Sequence, residues 1–104
     1  MIQQKIAAFQ EALSKEEYFQ AHEFLEEIWF PRRFENNAEI QLLKGFINAA
    51  VSFELAKRKR LTQSKKVWAN YLKYRQHLFT IDSPYLNEYY KLSRTIESIE
   101  KKLH

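Results

Sequence analysis

One glycine, Gly45, and two prolines, Pro31 and Pro84, are all that a chain of 104 residues has for turning sharply. Hairpins, barrels and sandwiches spend Gly and Pro at many turns, whereas helices can be joined with few, so mostly helix is the expected answer. A lone glycine also excludes the Gly-rich phosphate cradles of P-loop and dinucleotide-binding folds, which need two or three at fixed spacing. The absence of cysteine removes disulfides, thiolate zinc sites and a cysteine nucleophile. A domain of this length buries roughly two-thirds of the surface its unfolded chain exposes and folds around one core without staples. The 45% hydrophobic content supports such a core. The expectation is therefore an all-α fold: a compact bundle of about five helices, with residues 1–104 as a single domain.

The apolar periodicity supplies the elements. Ile2, Ile6, Phe9 and Leu13 mark a short first helix, and Ser14 followed by Glu17 reads as a capping box that opens the second. That second helix is expected from about Lys15 to Phe30, where Pro31 stops it, with 31–37 as the one long connection. Asn36 or Asn37 can cap a third helix, about Ala38 to Arg58. It is apolar nearly all round through Ala56, with a narrow polar line of Gln41, Lys44, Asn48 and Ser52, as befits a central helix touched by several others. Thr62 or Ser64 can cap a fourth helix that reaches about Phe79 on a stripe of Val67, Tyr71, Tyr74 and Leu78. Asp82 or Ser83, before Pro84, starts the fifth, whose stripe is Tyr85, Tyr89, Leu92, Ile96, Ile99 and Leu103.

Chemistry concentrates on the second helix. On a wheel of 100° per residue, Tyr18, Ala21, Phe24, Leu25, Ile28 and Trp29 form an apolar arc, and His22 and Glu26 follow it before Phe19 and Phe30. This places an imidazole and a carboxylate, one turn apart and within reach of each other, between aromatic side chains and partly out of water. Glu23 falls at the edge of the arc. A buried carboxylate demands partners, and three positions offer them: Glu54 in an apolar sector of the third helix, Arg75 between Trp68, Tyr71 and Leu78 on the fourth, and Asn48 as a neutral donor. Gly45 leaves room on the third helix for close approach, and His22 is expected to pack across it. Two uses of such a group are open: a register-fixing polar network with a small-ligand pocket, or a hydrolase-like site with His22 as acid or base beside Glu23 or Glu26. The segment lacks the second histidine of H-E-x-x-H, and residues 19 and 74 are Phe and Tyr where a Glu-x-x-His pair would need Glu, so neither metal nor cofactor is expected.

The run Tyr18-Phe19-Gln20-Ala21-His22-Glu23-Phe24-Leu25-Glu26-Glu27-Ile28-Trp29 resembles the signature of the family known as domain of unknown function 309: an aromatic pair, Ala-His-Glu, then Leu-Glu and Trp. Leu42 to Ala50 is similar to the family's second block, in the same order and at a similar separation. The resemblance implies a small all-helical domain of prokaryotic type whose motif residues, here His22, Glu23, Glu26 and Trp29, gather inside the bundle, and it implies no established activity. The chain departs from the family at three places. Asn48 stands for a Gln, only Phe53 or Glu54 stands where a His or Tyr is often found, and Arg58-Lys59-Arg60 replaces a Gly-Asn turn. A function resting on that second histidine is therefore not carried over.

Charge divides the chain. Residues 1–54 hold five Lys/Arg against nine Asp/Glu, and residues 55–104 hold twelve against four. Lys57, Arg58, Lys59, Arg60, Lys65 and Lys66 form a basic corner that could dock an acidic partner or nucleic acid, although such runs are more often solvated surface or serve to attract the other half of the fold. With aromatics at 15%, Tyr85, Tyr89 and Tyr90 are expected as core or as a homodimer contact. No run of eighteen apolar residues and no signal-peptide core are present, so a soluble, cytoplasmic protein without membrane contact is expected.

Overall fold

The structure, a computed structural model, describes residues 2–103. Among them are five α-helices and no strand: α1 (Ile2–Ser14), α2 (Tyr18–Trp29), α3 (Ala38–Lys57), α4 (Leu61–Arg75) and α5 (Leu86–Leu103). Single 3-10 turns at Phe30–Arg32 and Gln76–Phe79 extend α2 and α4. The all-α bundle expected from the glycine count is thus what forms. No helix among the described residues is long and apolar enough to cross a membrane.

α3 is the centre, as its pattern requires. Leu42, Leu43, Phe46, Ala49, Ala50 and Phe53 are fully buried, and α2, α4, α5 and the turn after α4 all pack on it. Its start is fixed by the Asn37 side chain, which accepts from the backbone N–H groups of Glu39 (2.9 Å) and Ile40 (3.3 Å). α4 lies closest, because α3 turns small residues toward it. At Gly45 an added Cβ would stand 2.8 Å from the Tyr74 Cβ. Further along, Ser52 Oγ donates to the Ser64 carbonyl and Ser64 Oγ to the Ser52 carbonyl, both at 2.8 Å. Two residues expected in other roles are thereby corrected. Gly45 makes room for Tyr74 rather than for His22, and Ser64 is a buried clasp rather than a helix cap.

The helix ends differ from expectation at two joints for one reason. Ser14 does not open α2, since its hydroxyl donates back to the Glu11 carbonyl and α2 begins only at Tyr18, with no side-chain cap. Instead α1 closes on itself: Glu17 N–H reaches the Ala12 carbonyl (2.9 Å) and Glu16 N–H the Leu13 carbonyl (3.1 Å), with Glu16 at φ 60°. α3 ends in the same way. Arg60 N–H reaches Leu55 O, Lys59 N–H reaches Ala56 O, and Lys59 sits at φ 63°. Both left-handed positions carry side chains where glycine is the usual choice. Thr62 likewise caps nothing, because Arg60 is the residue before α4 and makes no side-chain cap bond. At the last joint Ser83 Oγ accepts from Tyr85 N–H (3.1 Å), and α5 follows at Leu86.

α5 is tied down by two polar clusters. Tyr89, buried in the core, donates to Glu39 Oε2 at 2.6 Å, and Ser83 donates to the same oxygen at 2.9 Å. Burial, and then Glu39, push the Tyr89 phenol well above its ordinary value. Across α4 and α5, Glu97 Oε2 accepts from Arg75 (2.8 Å), Ser93 (3.0 Å) and Tyr71 (3.2 Å). Burial raises the Glu97 carboxyl, but these hydrogen bonds and the Arg75 charge outweigh it and hold the group below the usual carboxylate range. A carboxyl lowered by folding stabilises above its unfolded pKa and loses that contribution as pH falls through the folded value. Acid titration followed by circular dichroism should therefore show part of the stability lost below about pH 4.5. Glu97→Gln should flatten that segment of the curve, and a variant with the parent's acid profile would remove Glu97 from the account.

Candidate functional site

α2 runs back along α3, so its N-terminal half faces the C-terminal half of α3. A cleft of about 210 Å³ lies between them, lined by Tyr18, Phe19 and His22 from α2 and by Val51, Glu54, Leu55 and Arg58 from α3 and its end. Its walls are mostly apolar and its polar groups few, which is the usual make-up of a small-molecule site. Tyr18 stands at its base, 5% exposed, held edge-on to Phe53 with ring centroids 5.4 Å apart. Burial first, then the negative charges of Glu16 and Glu54, push its phenol above the ordinary value.

His22 is withdrawn from solvent, with 16% of its side chain exposed. Nδ1 pairs with the Phe19 carbonyl one turn back, and the Phe19 ring stands edge-on to the imidazole at 4.9 Å. In the neutral ring this bond places the proton on Nδ1 and leaves the Nε2 lone pair open. Nε2 lies 4.0 Å from Glu26 Oε2, too far for a hydrogen bond. Opposite, Glu54 is held by Arg58 one turn on, with Nε to Oε2 at 2.7 Å. The Glu54 side chain is mostly covered and that of Arg58 mostly exposed.

Several expectations are corrected here. His22 is withdrawn but its companion acid is not: the Glu26 side chain is 45% exposed. The aromatic bracket fails to cover it because Phe19 and Phe30 are themselves 48% and 52% exposed, α2 packing chiefly on α1 and α3. Glu23 is exposed and shares a shallow surface depression with Glu26, Glu27 and Phe30 rather than the His22 cleft, so the motif acids do not gather inside the bundle. Trp29 is partly buried, with the Lys44 ammonium 4.1 Å over its ring. Arg75 serves Glu97, and Asn48, though buried, donates to the Lys44 carbonyl of its own helix (2.8 Å). Of the proposed partners, Glu54 alone comes to the side of His22. Arg58, assigned from sequence to the basic corner, belongs to this cleft, and its i, i+4 spacing from Glu54 was the available signal.

The basic corner is otherwise open. Lys57, Lys59, Arg60, Lys65 and Lys66 are exposed and have no carboxylate partner among the described residues, although Lys57 reaches the Glu16 carbonyl at 3.3 Å. No group of three or more His, Asp or Glu able to hold a metal ion occurs among the described residues.

Comparison with known proteins gives one finding. No curated protein and no solved structure matches the chain. The family model described as "Domain of unknown function (DUF309)" matches residues 6–67, which takes in all of α2 and α3 and therefore both walls of the cleft. With well over half its length in that match, the chain belongs to the DUF309 family.

Proposed function

We propose that the cleft between α2 and α3 binds a small, flat, uncharged molecule with a hydrogen-bonding edge, such as a heteroaromatic base. The observation that carries this reading is the meeting, in one cleft, of the half-exposed Phe19 ring, His22 with an unspent Nε2, and the Glu54–Arg58 pair. Phe19 supplies a face for stacking. Nε2 of the neutral imidazole accepts a hydrogen bond, and the guanidinium N–H groups that Glu54 does not use donate. Glu54 already offsets Arg58, so the cleft carries no surplus guanidinium charge to draw in an anion. About 210 Å³ holds a one- or two-ring compound. The hydrolase-like alternative lacks support here, because no hydroxyl nucleophile other than the Tyr18 phenol lines the cleft and Glu23 lies elsewhere.

Calorimetric titration with adenine as the probe tests this. Saturable one-to-one binding is expected, weakened about tenfold or more by His22→Ala and by Arg58→Ala, each of which removes a hydrogen bond to the ligand. Because Glu26 can turn to water, His22→Ala should cost only about 1 kcal/mol of stability, from one hydrogen bond and some packing. Absence of saturable binding, or equal affinity in both variants, contradicts the proposal.

A second reading rests on the five open cations of the basic corner: nonspecific contact with a nucleic-acid backbone. Phosphate neutralisation makes such binding fall steeply with salt. Fluorescence anisotropy with a labelled DNA duplex should show affinity dropping as salt rises, with a shallower slope for Lys65→Ala/Lys66→Ala. No binding at low salt eliminates it.

A further inference from the structure

The cavity of about 540 Å³ at the other side of Tyr18 belongs to none of the readings above. It lies where the end of α1, the start of α2 and the C-terminal half of α5 meet, with an apolar floor of Leu13, Ile99 and Leu103. Around that floor stand one acid, Glu16, and two cations, Arg94 and Lys102, all exposed and all without an ion-pair partner among the described residues. Tyr18 also lines it; the residue is nineteen-twentieths buried, but its hydroxyl, which makes no hydrogen bond to any described group, keeps contact with solvent. Hydroxyls of Ser14, Thr95 and Ser98 complete the rim. A hydroxyl that reaches solvent at the wall of a cavity is free to bond a ligand atom.

We propose that this groove binds a short apolar peptide with free termini, two or three residues long. Charges of both signs ringing an apolar floor match a zwitterion with apolar side chains better than they match an anion, which Glu16 would repel, or a cation, which Arg94 and Lys102 would. Arg94, Ser98 and Lys102 follow at four-residue spacing on one face of α5, so the two cations are about 12 Å apart and the carboxylate can meet either, according to peptide length. Glu16 takes the ammonium, held in place by the left-handed turn that ends α1. The Tyr18 hydroxyl donates to a peptide carbonyl.

Leu-Leu, N-acetyl-Leu-Leu and Leu-Leu-amide, titrated into the ¹⁵N-labelled full chain, test the assignment. Leu-Leu should give saturable amide shifts at Thr95, Ser98 and Ile99, and each capped peptide should bind about tenfold or more weakly, having lost a charged hydrogen bond. Glu16→Gln should abolish the discrimination against the acetylated peptide, and Arg94→Ala with Lys102→Ala the discrimination against the amide. These are surface positions, so the fold is kept. Tyr18→Phe should weaken all three peptides while leaving their ranking intact. Lack of saturation, equal binding of the capped peptides, or shifts confined to Val51–Arg58 overturns the proposal, and the last result would assign the peptide to the other cleft.

Discussion

Phe53→Ala should be the most damaging single truncation for both fold and site, with a loss of about 3–5 kcal/mol measured by denaturant unfolding. Phe53 is fully buried, edge-on to Tyr18 and tilted against Trp68 with centroids 5.9 Å apart. Its removal opens a cavity that no neighbour can fill, since α3 is held to α4 by the serine clasp and by the close contact at Gly45. The lost transfer energy and the cavity therefore add. The same ring backs Tyr18, the wall shared by the two clefts, so adenine binding should weaken even in conditions where the variant remains folded. A loss below about 1.5 kcal/mol, the range of tolerated volume-conserving swaps, would mean that the core around α3 is looser than the structure has it.

Gly45→Ala has the opposite sign from what helix propensity alone dictates. In an exposed helix interior the change would stabilise by about 1 kcal/mol. Here the new methyl would stand 2.8 Å from the Tyr74 Cβ, an atom fixed to the α4 backbone rather than the movable end of a long side chain. α4 must shift, and overpacking of this kind costs about 1–3 kcal/mol. The Ser52–Ser64 bonds, two turns along the same seam, stretch with it. A net loss of stability is the expected outcome of thermal unfolding, and Tyr74→Gly in the Gly45→Ala background should recover part of the steric component. A stabilised Gly45→Ala protein would show that the α3–α4 contact is not as close as described.

Most of the fold could be read from the chain because local signals and tertiary demands agree in it. α3 carries apolar residues on nearly every side and Asn37 at its start, and both are used as their chemistry suggests. The joints are not legible in the same way, because Glu16 and Lys59 close helices in a left-handed conformation without the glycine that ordinarily marks it, while Ser14-x-x-Glu17 imitates a capping box. His22 was legible from its place beside the apolar arc. The exposure of Glu26 was not, since a helical wheel shows which residues share a face but not whether any element covers that face. The Arg75–Glu97 pairing depends on how α4 and α5 cross, and the nearness of Glu54 to His22 on how α2 lies on α3. Neither is a property of one helix.

Among the described residues, the long-range ion pairs of the fold form within each half of the chain rather than between the acidic and basic halves. Lys5–Glu27 lies within the acidic half and Arg75–Glu97 within the basic half, and Arg58–Glu54, one turn apart, spans the two. Five cations of the corner, and Glu23 and Glu26 on α2, have no such strong pairing and remain available to partners.

The central claim is that the α2–α3 cleft, with His22 withdrawn and one of its nitrogens unspent, is a binding site rather than a filler of the core. Mapping amide shifts on the ¹⁵N-labelled protein during adenine titration addresses it most directly. The account predicts saturable shifts at Phe19, His22, Val51, Glu54 and Leu55 that vanish in a folded His22→Ala protein. Shifts scattered over the surface, or an unchanged pattern in that variant, would contradict it.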